Sequence, residues 1–155
     1  METLTATGQD HYHEGLTPLP EGFTYVPFGD LAAIEAVMDD DVCGVLIEPI
    51  QGEGGVHVPA PGYLEGVKAL CEKHDALFLL DESDWCLPHG KWFAYMHSTV
   101  KPDAMSLAKA IGGGFPMGPL SRRSVLPMSL SRAIMALPLA AMPFPVPPAM
   151  PRSRH

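Results

Sequence analysis

The sequence predicts an α/β domain built on a parallel sheet, and three features lead to it. Residues 42–47 and 76–80 are uninterrupted apolar runs of strand length, the kind of strand that a parallel sheet buries on both faces. An amphipathic helical stretch separates them, which is the order of a right-handed parallel strand–helix–strand unit. Residues 104–108 then supply a third short apolar stretch.

Each element follows from local pattern. Residues 10–22 are polar and broken by Pro18 and Pro20, which predicts an extended lead-in, and 23–27 (Phe-Thr-Tyr-Val-Pro) predicts a short edge strand. Asp30 stands where an N-cap belongs. Leu31, Ile34 and Met38 then share one helical face, and three aspartates, Asp39 to Asp41, form a turn. After the run 42–47 comes a glycine-rich loop, 48–55 (Glu-Pro-Ile-Gln-Gly-Glu-Gly-Gly). Leu64, Val67, Leu70 and Cys71 repeat at three and four residues, giving a helix that ends near His74. Residues 93–97 predict one more helical turn, and Gly112 to Gly114 a flexible one.

The chain has 155 residues, enough for one domain with a core. Its formal charge of −8 argues against a nucleic-acid or anionic-membrane partner, since phosphate recognition needs clustered Lys and Arg. No stretch reaches the roughly 18 uninterrupted apolar residues of a membrane span, and the first residues lack the pattern of a secretion signal. Cys43, Cys71 and Cys86 have no metal-ligand or redox spacing and read as reduced thiols of a cytoplasmic protein; no metal site is proposed. Charge is divided along the chain: every Asp and Glu lies at or before Asp103, and every Arg at or beyond Arg122. From Pro127 onward prolines crowd among Met, Ala and Leu, which removes amide donors and predicts an irregular tail over 121–155.

In a parallel sheet, ligands collect beyond the carboxyl ends of the strands, and Glu53, Asp81 and Lys109 each fall just after a predicted strand. A carboxylate at the end of an apolar strand can keep a heterocyclic nitrogen protonated, so Asp81 suits a pyridinium. A lysine in the apolar setting Leu107-Ala108-Lys109-Ala110 can lose its proton by desolvation, so Lys109 suits a Schiff base with an aldehyde. Singly, such an Asp is more often a turn residue and such a Lys a solvated charge. The glycine clusters are ordinarily turns, the seven histidines are scattered, and Trp85 and Trp92 read as packing residues.

The specific signal is the combination. The loop 48–55, then Leu79-Leu80-Asp81-Glu82, Lys91-Trp92-Phe93-Ala94-Tyr95, Pro102-Asp103, and Ser106-Leu107-Ala108-Lys109-Ala110 with Gly112 to Pro116 closely resemble the class III aminotransferases. The lead-in Tyr12-His13-Glu14-Gly15 with Leu19-Pro20-Glu21-Gly22-Phe23 resembles the acetylornithine aminotransferase branch, and the resemblance runs over about residues 3–120. It implies part of the large domain of a fold-type I enzyme over 1–120, with pyridoxal 5'-phosphate as cofactor, followed by an irregular Pro-rich tail.

By the same resemblance, Lys109 forms the imine with the cofactor and shuttles the substrate proton, and Asp81 pairs with the pyridine nitrogen. Ser83 stands at the cofactor-side position after the Asp-Glu pair. Glu53 matches the loop glutamate that pairs with an active-site arginine as the site alternates between substrates. The implied substrates are N-acetylornithine or a similar ω-amino donor and 2-oxoglutarate. The family is homodimeric.

Three departures bear on activity. The matched stretch lies downstream of the family's glycine-rich phosphate loop. After Asp81-Glu82 the family continues Val-Gln-Thr-Gly, whereas Ser83-Asp84-Trp85-Cys86 stands here. From Ser121 onward the resemblance ceases. Back-translation of 123–142 with permitted synonymous codons, read from the third base, restores a segment ending Thr-Thr-Phe-Gly-Gly-Asn, which the family carries at this point; the tail therefore reads as an out-of-frame translation. The leading expectation is an enzyme portion inactive by itself. The competing ones are a non-catalytic α/β partner-binding module and a product without function.

Overall fold

The computed structural model describes residues 2–83, 90–108, 118 and 120–123. Four strands form one sheet in the order β1 (Gly44–Ile47), β2 (Leu77–Asp81), β3 (Ala104–Ser106) and β4 (Leu120–Arg122). The pairs β1–β2 and β2–β3 are parallel, and β3–β4 is antiparallel. The expected α/β class with a largely parallel sheet is what the chain adopts.

Helix α1 (Glu2–Ala6) precedes a 3₁₀ turn, Asp10–Tyr12, inside the expected lead-in. The expected strand at 23–27 is not formed: Pro27 has no amide to donate to a ladder, and the segment is fastened through a side chain, the Tyr25 hydroxyl donating to the Thr5 carbonyl. Helix α2 (Leu31–Val37) begins as expected at Asp30, whose Oδ1 accepts from the Ala33 amide at 2.9 Å. Helix α3 (Tyr63–Lys73) closes through Asp75, a non-glycine residue at φ 53°, and the Ala76 amide reaches back to the Cys71 carbonyl at 2.9 Å.

Alternation along β2 decides what each face does. Phe78 and Leu80 are fully buried and pack with Met105 under α3, whose Leu64, Val67, Leu70 and Cys71 face the sheet. Ile34 of α2 and Met38 at its C-cap join this core, and Gly66 of α3 leaves room for Leu31. Burying such side chains stabilises the fold by roughly 1.5–3 kcal/mol each. The other sheet face carries Leu46, Leu77, Leu79 and Asp81, and Leu46 is 49% exposed. A parallel sheet normally covers both faces; among the described elements, helices α2 and α3 pack on one.

The irregular tail expected from Ser121 needs its boundary moved. Ser121 and Arg122 pair with β3, and Arg123 bonds Asp103 through both its amide and its guanidinium, each at 2.8 Å. A buried carboxylate at Asp103 draws a cation to it, and the run of prolines starts only at Pro127. Residues 124–155, Gly112 to Gly114 and the block 84–89, with Trp85 and Cys86, lie outside the described residues. Trp92, expected to pack, is 67% exposed. No helix among the described residues is long and apolar enough to cross a membrane.

Candidate functional site

Period-two alternation sends residues 81 and 82 in opposite directions at the end of β2. Leu80 faces the core, so Asp81 emerges on the face opposite α2 and α3 and Glu82 turns back beneath the sheet. Register sets Asp81 opposite Ser106, the last residue of β3. Parallel pairing thus places two polar side chains side by side at the carboxyl edge.

Three donors converge on one oxygen of Asp81. Its Oδ1 accepts from the Ser83 amide at 3.0 Å, from the Ser106 hydroxyl at 3.0 Å, and from the Ser83 hydroxyl. Among the described residues none of these bonds falls on Oδ2. A carboxylate fixed through one oxygen and open at the other can accept a further N–H, which is what holding a protonated pyridine nitrogen requires.

Lys109 lies outside the described residues. The strand leading to it ends at Ser106, and Leu107 is buried. Glu53 is at the exposed tip of the loop after β1. Gly52 is tied to Glu48 at 3.1 Å, Gln51 bridges His57, and Gly55 at φ 112° completes the turn. Among the described residues, Glu53 is bonded to the Tyr12 hydroxyl at 3.2 Å, which the carboxylate charge makes harder to ionise. The structure therefore brings Asp81, Ser83 and Ser106 together, and sets Glu53 with Tyr12.

Two buried carboxylates went unassigned in the sequence. Glu82 is fully buried; its two oxygens accept from the Ala94 and Tyr95 amides at 2.9 and 2.8 Å, and its own amide donates to the Ser106 carbonyl at 3.0 Å. Burial pushes its carboxyl above the usual range, and the two amides only partly offset that. It fastens the 3₁₀ turn Ala94–His97 beneath the carboxyl edge of the sheet. Alternation along Phe78, Leu80 and Glu82 is the signal that it points inward. Asp103 accepts from the Phe78 amide at 3.0 Å, from Lys68 at 3.3 Å and from Arg123 at 2.8 Å. An open depression of about 400 Å³ between Phe28 and the segment 57–60 is not lined by Asp81, Ser83, Ser106 or Glu53.

Comparison with known proteins gives the geometry a context. The class-III aminotransferase family profile matches residues 1–132. The chain is 53% identical over 120 residues to the acetylornithine aminotransferase of Xanthomonas axonopodis pv. citri, covering 76% of this chain and 29% of that protein. It is 50% identical over 116 residues to the acetylornithine aminotransferase of Caldanaerobacter subterraneus, covering 74% of this chain and 30% of that one. A solved ornithine aminotransferase from Toxoplasma gondii, described as holding pyridoxal phosphate at partial occupancy in its active site, aligns with a TM-score of 0.74 and 32% identity over 82% of this chain and 30% of its own. The chain spans about 30% of the length of these relatives.

Proposed function

The chain belongs to the class III aminotransferases, and we propose that it carries the cofactor-facing strand ends of an acetylornithine-type transaminase. The single observation that supports this reading best is the state of Asp81: anchored through Oδ1 by Ser83 and Ser106, at the carboxyl edge of a parallel sheet, with Oδ2 open among the described residues. These residues fit a cationic heterocycle. Pyridoxal phosphate, the cofactor of this family, supplies an aldehyde that condenses with a primary amine and a cationic ring that withdraws electrons from the substrate α-carbon.

In this reading Asp81 Oδ2 holds the ring N–H, and the ion pair keeps that proton in place where water is scarce. Lys109, three residues beyond the strand end at Ser106, supplies the amine, and its Nζ carries the proton taken from the substrate α-carbon. Glu53 pairs with an active-site arginine as amino donor and 2-oxo acid alternate. The amino donor is N-acetylornithine or a similar ω-amine, the acceptor 2-oxoglutarate, the setting the cytoplasm and the assembly a homodimer.

We further assign residues 1–120 to the cofactor-binding domain, with β4 carrying its edge to Arg122, and the residues beyond to a translation out of the family's frame. Sequencing the coding DNA tests this: an intact family frame one base away is expected, and unrelated DNA would overturn it. These 155 residues match about 30% of the relatives' length, and by themselves they supply only part of the contacts that position cofactor and substrate. The pure protein should therefore bind pyridoxal phosphate weakly but saturably, less so with Asp81→Asn, and form no glutamate from N-acetylornithine and 2-oxoglutarate. Clear turnover would overturn the claim of inactivity. Binding indifferent to Asp81 would overturn the site.

A further inference from the structure

The donors on Asp81 are unevenly placed, and Ser83 supplies two of them. Its amide, at 3.0 Å, and its hydroxyl both go to Oδ1, and Ser106 adds a third donor to the same atom at 3.0 Å. Ser83 follows Asp81 by two residues, so amide and hydroxyl close a local ring around the carboxylate; Ser106 approaches from the neighbouring strand, across the register pair Asp81↔Ser106. One contact is local and the other tertiary. Together they fix the carboxylate plane from two directions.

We propose that Ser83 is a positioning residue acting through Asp81, with Ser106 as its cross-strand partner, and that the pair aims Oδ2 at the N–H of a protonated heteroaromatic ring. The proposal rests on the cofactor reading above and deepens it. A hydroxyl has one proton to give, and that of Ser83 is committed to Oδ1, so Ser83 does not donate to a ligand. A free aspartate at a strand end would divide its time among rotamers, and a ring nitrogen would have to order it on binding.

The test uses the full 155-residue chain, uniformly labelled with ¹³C and ¹⁵N, without cofactor. Couplings between the Asp81 backbone and its β-protons report its side-chain rotamers. The wild type should show one dominant rotamer, and Ser83→Ala should shift the rotamer ratio by about five-fold, as expected for losing one net hydrogen bond. Ser83→Thr, which keeps the hydroxyl, should restore it, and Ser106→Ala should shift it independently. Amide spectra that overlay elsewhere show that each variant is folded. Unchanged couplings in both alanine variants would overturn the proposal, as would failure of Ser83→Thr to restore them.

Ring-labelled [¹⁵N]pyridoxal phosphate then separates the two readings. Loss of the protonated-ring signal in Asp81→Asn, with a smaller loss in Ser83→Ala, supports both. A bound-ring signal indifferent to Asp81→Asn would sink the cofactor reading and with it the ring-aiming half of the proposal, while the couplings still decide whether Ser83 orders Asp81.

Discussion

Replacing Asp103 by alanine removes the acceptor that joins β2, β3, β4 and α3. The amide of Phe78, a fully buried residue, would lose its side-chain acceptor; leaving such a donor unsatisfied costs about 1–3 kcal/mol. Among the described residues Lys68, with a side chain only 17% exposed, would keep the Phe78 ring at 5.9 Å and Glu72 at 3.5 Å, a solvent-facing carboxylate worth roughly 1 kcal/mol or less. Arg123 is 53% exposed, so its ion pair adds at most about 1 kcal/mol after solvent screening. The sum is about 3 kcal/mol, a large share of the roughly 5–15 kcal/mol by which small domains are stable. In urea the unfolding midpoint should fall by about 2 M. Burial pushes the Asp103 carboxyl upward, but the bonds from the Phe78 amide, Arg123 and Lys68, with the Lys68 charge, outweigh it and hold the group below the usual carboxylate range. A group lowered in this way stabilises the fold above its unfolded value of about 3.9, and that contribution fades as pH falls through the lower folded value. The gap between wild type and Asp103→Ala should therefore narrow in acid. A gap under about 1 kcal/mol at neutral pH, or one that widens on acidification, would refute the reasoning.

Asp30→Ala should cost about 1 kcal/mol through loss of the α2 cap, with faster amide exchange at Ala33. Glu82 titrates in the opposite sense from Asp103: its carboxyl is raised mainly by burial, so its contribution is fully present below the unfolded value of about 4.3 and is lost as pH rises through the folded one. Wild type should lose stability relative to Glu82→Gln as pH rises, read from denaturation curves between about pH 4 and 8; parallel pH profiles would contradict it. Cys71 is fully buried and its thiol is pushed up to about 11, chiefly by burial, whereas Cys43 is exposed. Iodoacetamide at mild alkaline pH should label Cys43 while Cys71 resists until the protein unfolds, as peptide mapping would show.

How much of this was legible in the sequence depends on the range of the interaction. Helices α2 and α3 and strands β1 to β3 follow from periodicity and capping, because an amphipathic stripe or a buried run is written in neighbouring residues; only their ends moved by one or two positions. Strand β4 was missed because its three residues carry no pattern of their own and are held by β3 and by the Arg123–Asp103 pair. The edge strand expected at 23–27 did not form because propensity alone does not make a ladder, and among the described residues no strand pairs with this segment. At the candidate site, the position of Asp81 at the end of an apolar strand was legible. The convergence of Ser83 and Ser106 on one of its oxygens was not, since it depends on register between strands 25 residues apart in sequence. Glu82 and Asp103 drew no assignment because a lone acid reads as surface until alternation and burial are seen together.

The central claim is that the edge bearing Asp81 holds pyridoxal phosphate with Lys109 as its amine. Incubating the protein with pyridoxal phosphate, reducing with borohydride and mapping the labelled peptides tests this directly. Lys68 is held by Asp103 with its side chain 17% exposed and competes poorly, whereas Lys73, paired with Glu35 at 3.6 Å, and Lys91, bonded to the Met96 carbonyl at 2.6 Å, are exposed and serve as internal controls for unselective labelling. The account predicts label concentrated on Lys109 and reduced by Asp81→Asn; label spread evenly over Lys68, Lys73, Lys91, Lys101 and Lys109 would contradict it.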